Sequence, residues 1–542
     1  MLPAAEPPDP SGLANGKDVL FVAKGDSCSD DYQRDRALNP DTPWCSLNTA
    51  VTRIRAGDTV YVRKGDYHEK LIQFYKKHYD RVVTIAGYPA ENPVFGNYEQ
   101  RYLSVPNRLW RQESGLWVTN AKVVEKRHAF ASYVDGRPLW IHNRLEDLRD
   151  PLQPEGIYVD PQKQRIYARL RGDADPNEVP LYLAAGGYRL FLFQNSSNIM
   201  LKDITIKAST IPVHIKRSNN IVVRGLTILG GARNGIYVTG SEGIKIVRNR
   251  IVFQPDPDWK WRQVKGSRQE NTGIDLTACG SNNEIAHNEI EGWFNGVMVK
   301  TDDPAQAANT KVHHNTIHKI MDDGIEVESY CLDAEFYNNL IRDTFASISL
   351  SPTIADNCAI YRNVLVADRP VKAYPGRFWD GACFKLKSDR GVSGMTIGNN
   401  TCFGNGIATN DKQSNTQHKN RWVNNLFYSV DKLLISKSGL RDAGVTYDYN
   451  VYWRADGGPM FKYWNSDSDP TAFSRLDQAL RSKNAPRIWD RHSINKDPVM
   501  NGYELTAKSP AINRGIDLGY DKDFFDRPVH GRPDIGAVEF QP

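Results

Sequence analysis

An asparagine followed by an apolar step returns at short, nearly regular intervals along the chain, and this recurrence limits what the chain can fold into more than any other feature. The steps are NRI at Asn249, NEI at Asn288, NTI at Asn315, NLI at Asn339, NVL at Asn363, NTC at Asn400, NLF at Asn425 and NVY at Asn450, spaced 39, 27, 24, 24, 37, 25 and 25 residues apart. Asp203 in DITI and Gly225 in GLTI extend the series toward the N-terminus. Between the steps lie apolar-alternating runs too short for helices. A base period near 24 with two long insertions is what a right-handed parallel β-helix requires. Each coil buries its inward side chains against the coils above and below, and asparagine at the turn satisfies backbone groups in a ladder. The expected fold is therefore all-β, a solenoid of roughly ten or more coils.

Length alone, 542 residues, would suggest about three to four domains. The repeat replaces that count with one solenoid and its attachments: a disordered tail over 1–17, a cap and first coils over 18–100, a β insertion or lid over 101–187, the coil core over 188–455 and a C-terminal cap over 456–542. The insertion is marked by RPLWIHNRLEDL and GIYVDPQKQRIYARL, which break the period, and the cap by one helical stretch, AFSRLDQALRSK, over 472–483. The 69 basic and 64 acidic residues leave a charge of +5, too small to argue for nucleic acid. No apolar stretch reaches the about 18 residues of a membrane span, so no membrane partner is expected. The start, MLPAAEPPDPSGLANGKD, has neither the basic nor the apolar region of a signal peptide, so either the protein is cytosolic or its signal peptide is absent from this sequence; with the polysaccharide reading below, the expectation is a secreted or periplasmic monomer. Cys28 and Cys45 flank a polar loop, and Cys331 and Cys358 follow successive repeats; each pair could form a disulfide in an oxidising compartment or remain as buried thiols. The seven cysteines show no zinc-type spacing.

Aligning the first strand of each coil places PVHIK (212–216), GIYVT (235–239), GIDLT (273–277), GVMVK (296–300), GIEVE (324–328), SISLS (347–351) and CFKLK (383–387) in one sheet. Positions two and four are apolar and face inward. The third position then stacks His214, Tyr237, Asp275, Met298, Glu326, Ser349 and Lys385, and the fifth stacks Lys216, Thr239, Thr277, Lys300, Glu328, Ser351 and Lys387. A solvated face would more simply carry Thr and Ser; this one carries carboxylates and lysines. Both insertions are expected to overhang it, one over 254–270 with Trp259, Trp261, Lys260, Arg262 and Lys265, the other over 367–381 with Tyr374, Arg377, Phe378 and Trp379. Aromatic rings stack on sugar faces and cations meet acidic groups, so the loops would form a groove; alternatively the tryptophans cover the insertion's own core.

The GDTVYVRKGDY segment, the N-x-I coils and the SPAINRG and PDIGAVEF ending resemble the bacterial right-handed parallel β-helix proteins of the polysaccharide lyase and glycoside hydrolase group, with the pectate-lyase-like fold. Three segments, NTGID (271–275), MDDGIEVE (321–328) and FKLK (384–387), are similar in order to site motifs of the polygalacturonase family. That resemblance implies carboxylates that cleave by inversion, matched by Asp322 and Asp323, and a basic pair that holds a uronate, matched by Lys385 and Lys387. The chain departs where Thr272-Gly273 replaces the first motif's aspartate, where the acid sits at Asp275, where an extra coil intervenes and where no Gly-His-Gly appears at Ala346.

The residues themselves support the same chemistry. Inverting hydrolysis wants its two carboxyls about 6.5–9.5 Å apart, and Asp275 and Glu326 lie in one column two coils apart, about 9.6 Å between backbones. Crowding among Asp322, Asp323, Glu326 and Glu328 should raise one carboxyl and so create an acid, with Lys300 beside Glu328 partly offsetting it; Asp-Asp-Gly is also a common turn. The resulting expectation is an enzyme that hydrolyses an anionic polysaccharide or oligosaccharide. Asp275, Asp322, Asp323 and Glu326 are the catalytic candidates, and Glu328, Lys300, Lys385, Lys387, Tyr237, Trp259, Trp261, Arg377, Trp379 and a distal His214 the contacts. No cofactor is required, although Glu326 and Glu328 resemble the calcium-binding pair of the chondroitin B and alginate lyase family. Two alternatives stand: β-elimination with Lys300, Lys385 or Lys387 as base, and a non-catalytic glycan-binding module or adhesin. His313 and His314, before Asn315 on another face, read as turn or core residues.

Overall fold

The computed structural model describes residues 18–123, 129–184, 189–303, 309–366, 381–386, 391–409, 417–438, 444–464, 470–481 and 490–541. They group into two compact units, Met1–Trp259 with Gln263–Ile274, and Lys260–Arg262 with Asp275–Pro542. The fold is a right-handed parallel β-helix whose coils run through three parallel sheets, most of them with a separate strand in each, while in the second unit Thr316–Leu332 and Leu340–Tyr361 each continue from one sheet into the next.

In the first unit, the first sheet runs through Ile72–Tyr75, Arg189–Gln194, Ile211–Lys216 and Asn234–Thr239. The second begins Val19–Val22, Thr59–Val62, His78–Gly87 and Ser197–Lys202. The third includes Gly65–His68, Pro93–Gly96, Thr205–Ser209 and Thr227–Gly231. Inward positions stack like on like: Phe74 lies on Phe193 with ring centroids 5.0 Å apart, both fully buried. The strands Arg111–Glu113, Leu116–Asn120, Trp140–His142, Gly156–Asp160 and Arg165–Arg169 leave this plan and form a five-stranded sheet, and Phe130–Tyr133 pairs antiparallel with Leu181–Ala184. Ile141, Ile157, Ile166, Leu181 and Leu183 share a core with these strands.

In the second unit the first sheet keeps the register expected from the alignment. Val297, Ile325, Ile348, Phe384 and Ile407 are successive partners, as are Met298, Glu326, Ser349, Lys385 and Ala408. The apolar members of the inward rows, Ile325, Val327, Ile348, Leu350, Phe384 and Leu386, have no exposed surface.

The asparagines form the ladder at one corner. Asn315 donates Nδ2 to Asn339 Oδ1 at 2.9 Å, Asn339 to Asn363 at 2.9 Å, Asn363 to Asn400 at 2.9 Å and Asn400 to Asn425 at 3.0 Å. Each side-chain oxygen also accepts the backbone N–H of the preceding rung, at 3.1 Å for Asn315 and 3.0 Å for Asn339. The residue before every rung turns the corner with positive φ, from 51° at Asn338 and Asn399 to 59° at Asn424. Asp203 and Gly225 prove to be corner residues of this kind, with φ of 57° and 66°, rather than rungs. The rung position after them is Ile204 or Leu226, and Leu226 N–H is capped by Asn249 Oδ1 at 2.9 Å. Glycine suits Gly225 because a Cβ there would lie 2.3 Å from Asp203 Oδ1.

The C-terminal segment packs onto the coils of its own unit. Buried Arg362 pairs with Glu539 at 2.7 Å and donates to Gly536 O at 3.1 Å, while Thr401 Oγ1 accepts from Ala537 N–H at 2.8 Å. Within the described residues the helix expected over 472–483 begins at Leu476 and runs through Arg481, and Pro470–Phe473 is instead a strand antiparallel to Phe461–Trp464. The reason is positional: Phe461–Trp464 presents an edge with unpaired backbone groups, and a returning strand satisfies them. Cys28–Cys45, Cys331–Cys358 and Cys383–Cys402 are disulfides, the last one unforeseen, and Cys279 is buried outside them. No helix among the described residues is long and apolar enough to cross a membrane.

Candidate active site

The carboxylates of the second unit are positioned by the first sheet. Asp322 and Asp323 stand inside one continuous strand, Thr316–Leu332, so the Asp-Asp-Gly sequence is not a turn. Gly324 follows them because the neighbouring backbone is close: a Cβ there would meet Ser347 O at 2.6 Å, and one at Gly296 would meet Gly324 O at 2.4 Å. Asp322 N–H donates to Phe294 O at 2.8 Å and Asp323 N–H to Asn295 Oδ1 at 3.3 Å. Both aspartate side chains are buried.

Lys385 extends from its place in the third-position column to these aspartates. Its Nζ donates to Asp323 Oδ1 and Oδ2 at 2.5 and 2.6 Å and lies 3.6 Å from Asp322 Oδ1. The path is open because the residues beside Asp323 in its row are Ala346 and Ala382, and Ser349 lies between Glu326 and Lys385. Burial opposes the ammonium charge, but Asp322, Asp323 and the hydrogen bond to Asp323 outweigh it and raise the Lys385 pKa. Lys385 therefore does not reach outward to hold a substrate carboxylate, as the sequence suggested; the like-charge crowding expected among the acids is met by a buried cation. Its Nζ also sits 6.0 Å from the Phe345 ring centroid.

Glu326 is half-buried, one column position away from Ser349, and Asn295 Nδ2 approaches its Oε2 at 3.4 Å. Lys300 Nζ donates to Glu328 Oε1 at 3.0 Å, a pairing that raises the lysine pKa against the opposing effect of burial. Asp275 is 8% exposed and its Oδ1 accepts from Thr277 Oγ1 at 2.7 Å. Ala278 N–H donates to Lys300 O at 2.8 Å, which sets the Asp275 strand beside Asn295–Thr301, and that strand pairs in turn with the one carrying Glu326. Asp275 and Glu326 are thus two strands apart, about 9.6 Å between backbones. Trp261 is half-buried, with ring centroids 5.4 Å from Phe345 and 6.2 Å from Phe294.

The structure so brings together Asp275, Lys300, Asp322, Asp323, Glu326, Glu328, Lys385 and Trp261. It brings in Asn295, which bonds both Asp323 and Glu326 and stands before Gly296 as Asp323 stands before Gly324. The remaining candidates in the first unit differ from expectation. His214 is buried; its Nδ1 accepts from Arg189 Nε at 2.6 Å, its Nε2 lies 3.3 Å from Thr239 Oγ1, and its ring stacks on Tyr237 at 4.8 Å. Burial, helped by Arg189, Lys216 and Arg233, lowers its pKa to about 3, so His214 is a neutral wall residue rather than a subsite contact. Trp259 is buried, its ring edge-on to Trp140 of the insertion at 4.9 Å. Lys387, Arg377 and Trp379 lie outside the described residues. For an oxygen-ligated cation such as calcium, the carboxylates of Asp323 and Glu328 are already engaged by lysines.

A model of the family described as "Right handed beta helix region" matches residues 183–310. Lacto-N-biosidase of Bifidobacterium longum subsp. longum is 26% identical over 214 residues, 38% of this chain, and the match spans 12% of that protein's length. Among solved structures, the complex of XylC with xylose superposes with a TM-score of 0.55 at 14% identity, covering 96% of this chain and 98% of that one, a likeness of fold. The pectate lyase Pel9A is matched with a TM-score of 0.45 at 13% identity over 98% of both chains.

Proposed function

We propose that the chain is a glycoside hydrolase that cleaves glycosidic bonds by inversion on the first sheet of the second unit. Glu326 serves as general acid: it is the half-buried carboxyl beside the buried Asp322, Asp323 and Lys385, and Asn295 orients it. Asp275 serves as general base, its carboxylate aimed by Thr277. The observation that supports the reading is the pair of acids two strands apart in one column, about 9.6 Å between backbones, a spacing from which the side chains can reach the about 6.5–9.5 Å of an inverting pair. Asp322, Asp323 and Lys385 act as positioning residues beneath the floor, and Trp261 offers a ring for a sugar face. The similarity to a lacto-N-biosidase over part of the chain supports a glycan substrate. Lys300 and Lys385 neutralise carboxylates of the site itself, so a preference for uronates would have to come from other cations. Three disulfides support secretion into an oxidising compartment.

Elimination is less favoured for a specific reason. A lysine base must be unprotonated, and of the three lysines considered the two described ones, Lys300 and Lys385, are paired with carboxylates that favour their charged form. Incubation with panels of neutral and uronate-containing oligosaccharides, read for new reducing ends and for the ultraviolet absorbance of an unsaturated uronate, separates the possibilities. New ends without absorbance are expected, lost at least ~100-fold in Glu326→Gln and kept in His214→Gln. Absorbance accompanying the new ends would replace the proposal with elimination, and neither signal would leave glycan binding.

A further inference from the structure

We infer that His287, His313 and His314 form a binding site for a divalent transition-metal ion of the zinc class, at the ladder corner of the second unit and away from the carboxylate column. One ligand atom from each ring lies within 4.8 Å of the others. His313 and His314 are consecutive, and their Nδ1 atoms face each other at 2.8 Å. The far side of each ring meets a carboxylate: His314 Nε2 is 3.0 Å from Asp526 Oδ2, and His313 Nε2 is 3.4 Å from Glu284 Oε1. A carboxylate accepts hydrogen bonds, so the tautomers that put the ring N–H groups on Nε2 satisfy both contacts and turn the two Nδ1 lone pairs toward each other. The Asn338 amide approaches the same His314 Nε2 at 3.2 Å, beside Asp526 at 3.0 Å. In that tautomeric form the facing lone pairs are held together by a cation. A shared proton is one; a metal ligated by both Nδ1 atoms, with carboxylates on the distal nitrogens, is the usual arrangement around imidazole-bound metals.

The third ring completes the set. His287 is exposed, stacks on His314 at 4.9 Å and meets His313 edge-on at 5.8 Å, so an ion can enter from solvent. The corner is pre-organised. His287 and His314 hold equivalent positive-φ positions, 57° and 54°, each followed by a ladder asparagine, and Asn288 and Asn315 are joined at 2.9 Å. His313 is clamped face-to-face on Tyr337 at 4.7 Å. Metal–imidazole distances of about 2.0–2.1 Å would require the Nδ1 atoms to separate by roughly half an ångström, within side-chain reach. Through Asp526, the ion would tie this corner to the C-terminal segment.

The full chain, stripped with a chelator, should bind one tight equivalent of Zn²⁺ in calorimetry and give Co²⁺ the visible bands of a low-coordinate nitrogen site. His314→Ala and His287→Ala should abolish that equivalent, and Asp526→Asn should weaken it by ~10–100-fold. Metal should also raise the melting temperature of the parent and not of His287→Ala. Unchanged binding in His287→Ala, or only weak multiple binding by the parent, would overturn the assignment. His287 is exposed, so its variant carries the test even if His314→Ala folds poorly.

Discussion

Lys385 shows how one side chain joins stability to the site. It could have served a substrate carboxylate, but the small Ala346, Ala382 and Ser349 open a path inward to Asp323 and Asp322. Removing it strands two buried acids, so Lys385→Met should destabilise the protein by about 3–5 kcal/mol in chemical denaturation, with Asp323→Asn in the same background recovering part of the loss. A loss under 1 kcal/mol would mean that the pair is solvated. His214 makes a second residue-scale case. Unfolded, it titrates near 6.5; folded, at about 3. Between those values the unfolded state binds the extra proton, so this contribution is complete above about pH 6.5 and is lost as pH falls toward 3, by up to about 1.4 kcal/mol per pH unit. His214→Gln should flatten the acid limb of a stability profile, leaving the share of His313, which burial beside His314 lowers to about 4; a superimposable limb would contradict it. The column positions of Glu326 and Lys385 were legible in the sequence because alternation fixes the facing of every strand residue. The direction a long side chain takes from its position was not, since it depends on the size of residues in other coils.

The ladder is the element that the sequence displayed most openly, because each rung needs the same amide in the same place. Asn339 accepts the N–H of Asn315 and its amide, and donates to Val312 O and Asn363 Oδ1, all buried. Asn339→Ala leaves those donors unsatisfied and should cost about 1–3 kcal/mol per donor, measured by denaturant midpoint; a change below 0.5 kcal/mol would show that water replaces the rung. The corner residues ahead of the rungs were less visible, since positive φ is taken by His287, Arg362, Tyr449 and Gly225 alike. Asp203 and Gly225 were misassigned for that reason. The edge-covering strand Pro470–Phe473 was hidden by a helical pattern that continues through 476–481, and the Cys383–Cys402 disulfide by partners on strands of different sheets.

At the scale of the molecule, periodicity outweighed length: a count of three or four domains was replaced by stacked coils in both units. The net charge of +5 acquired a partial address, since Lys300 and Lys385 sit on the candidate face but are spent on its own carboxylates. Fold was readable from repeats, which are written locally, whereas the reaction depends on a few carboxyl orientations written nowhere in the pattern. Those orientations make a definite claim about stereochemistry. Proton NMR of the first product formed from an oligosaccharide that the protein cleaves is the most direct measurement. The first-formed anomer should be opposite in configuration to the bond cut, and should be absent with Asp275→Asn and with Glu326→Gln. A retained anomer, an unsaturated product, or full activity in both variants would contradict the account.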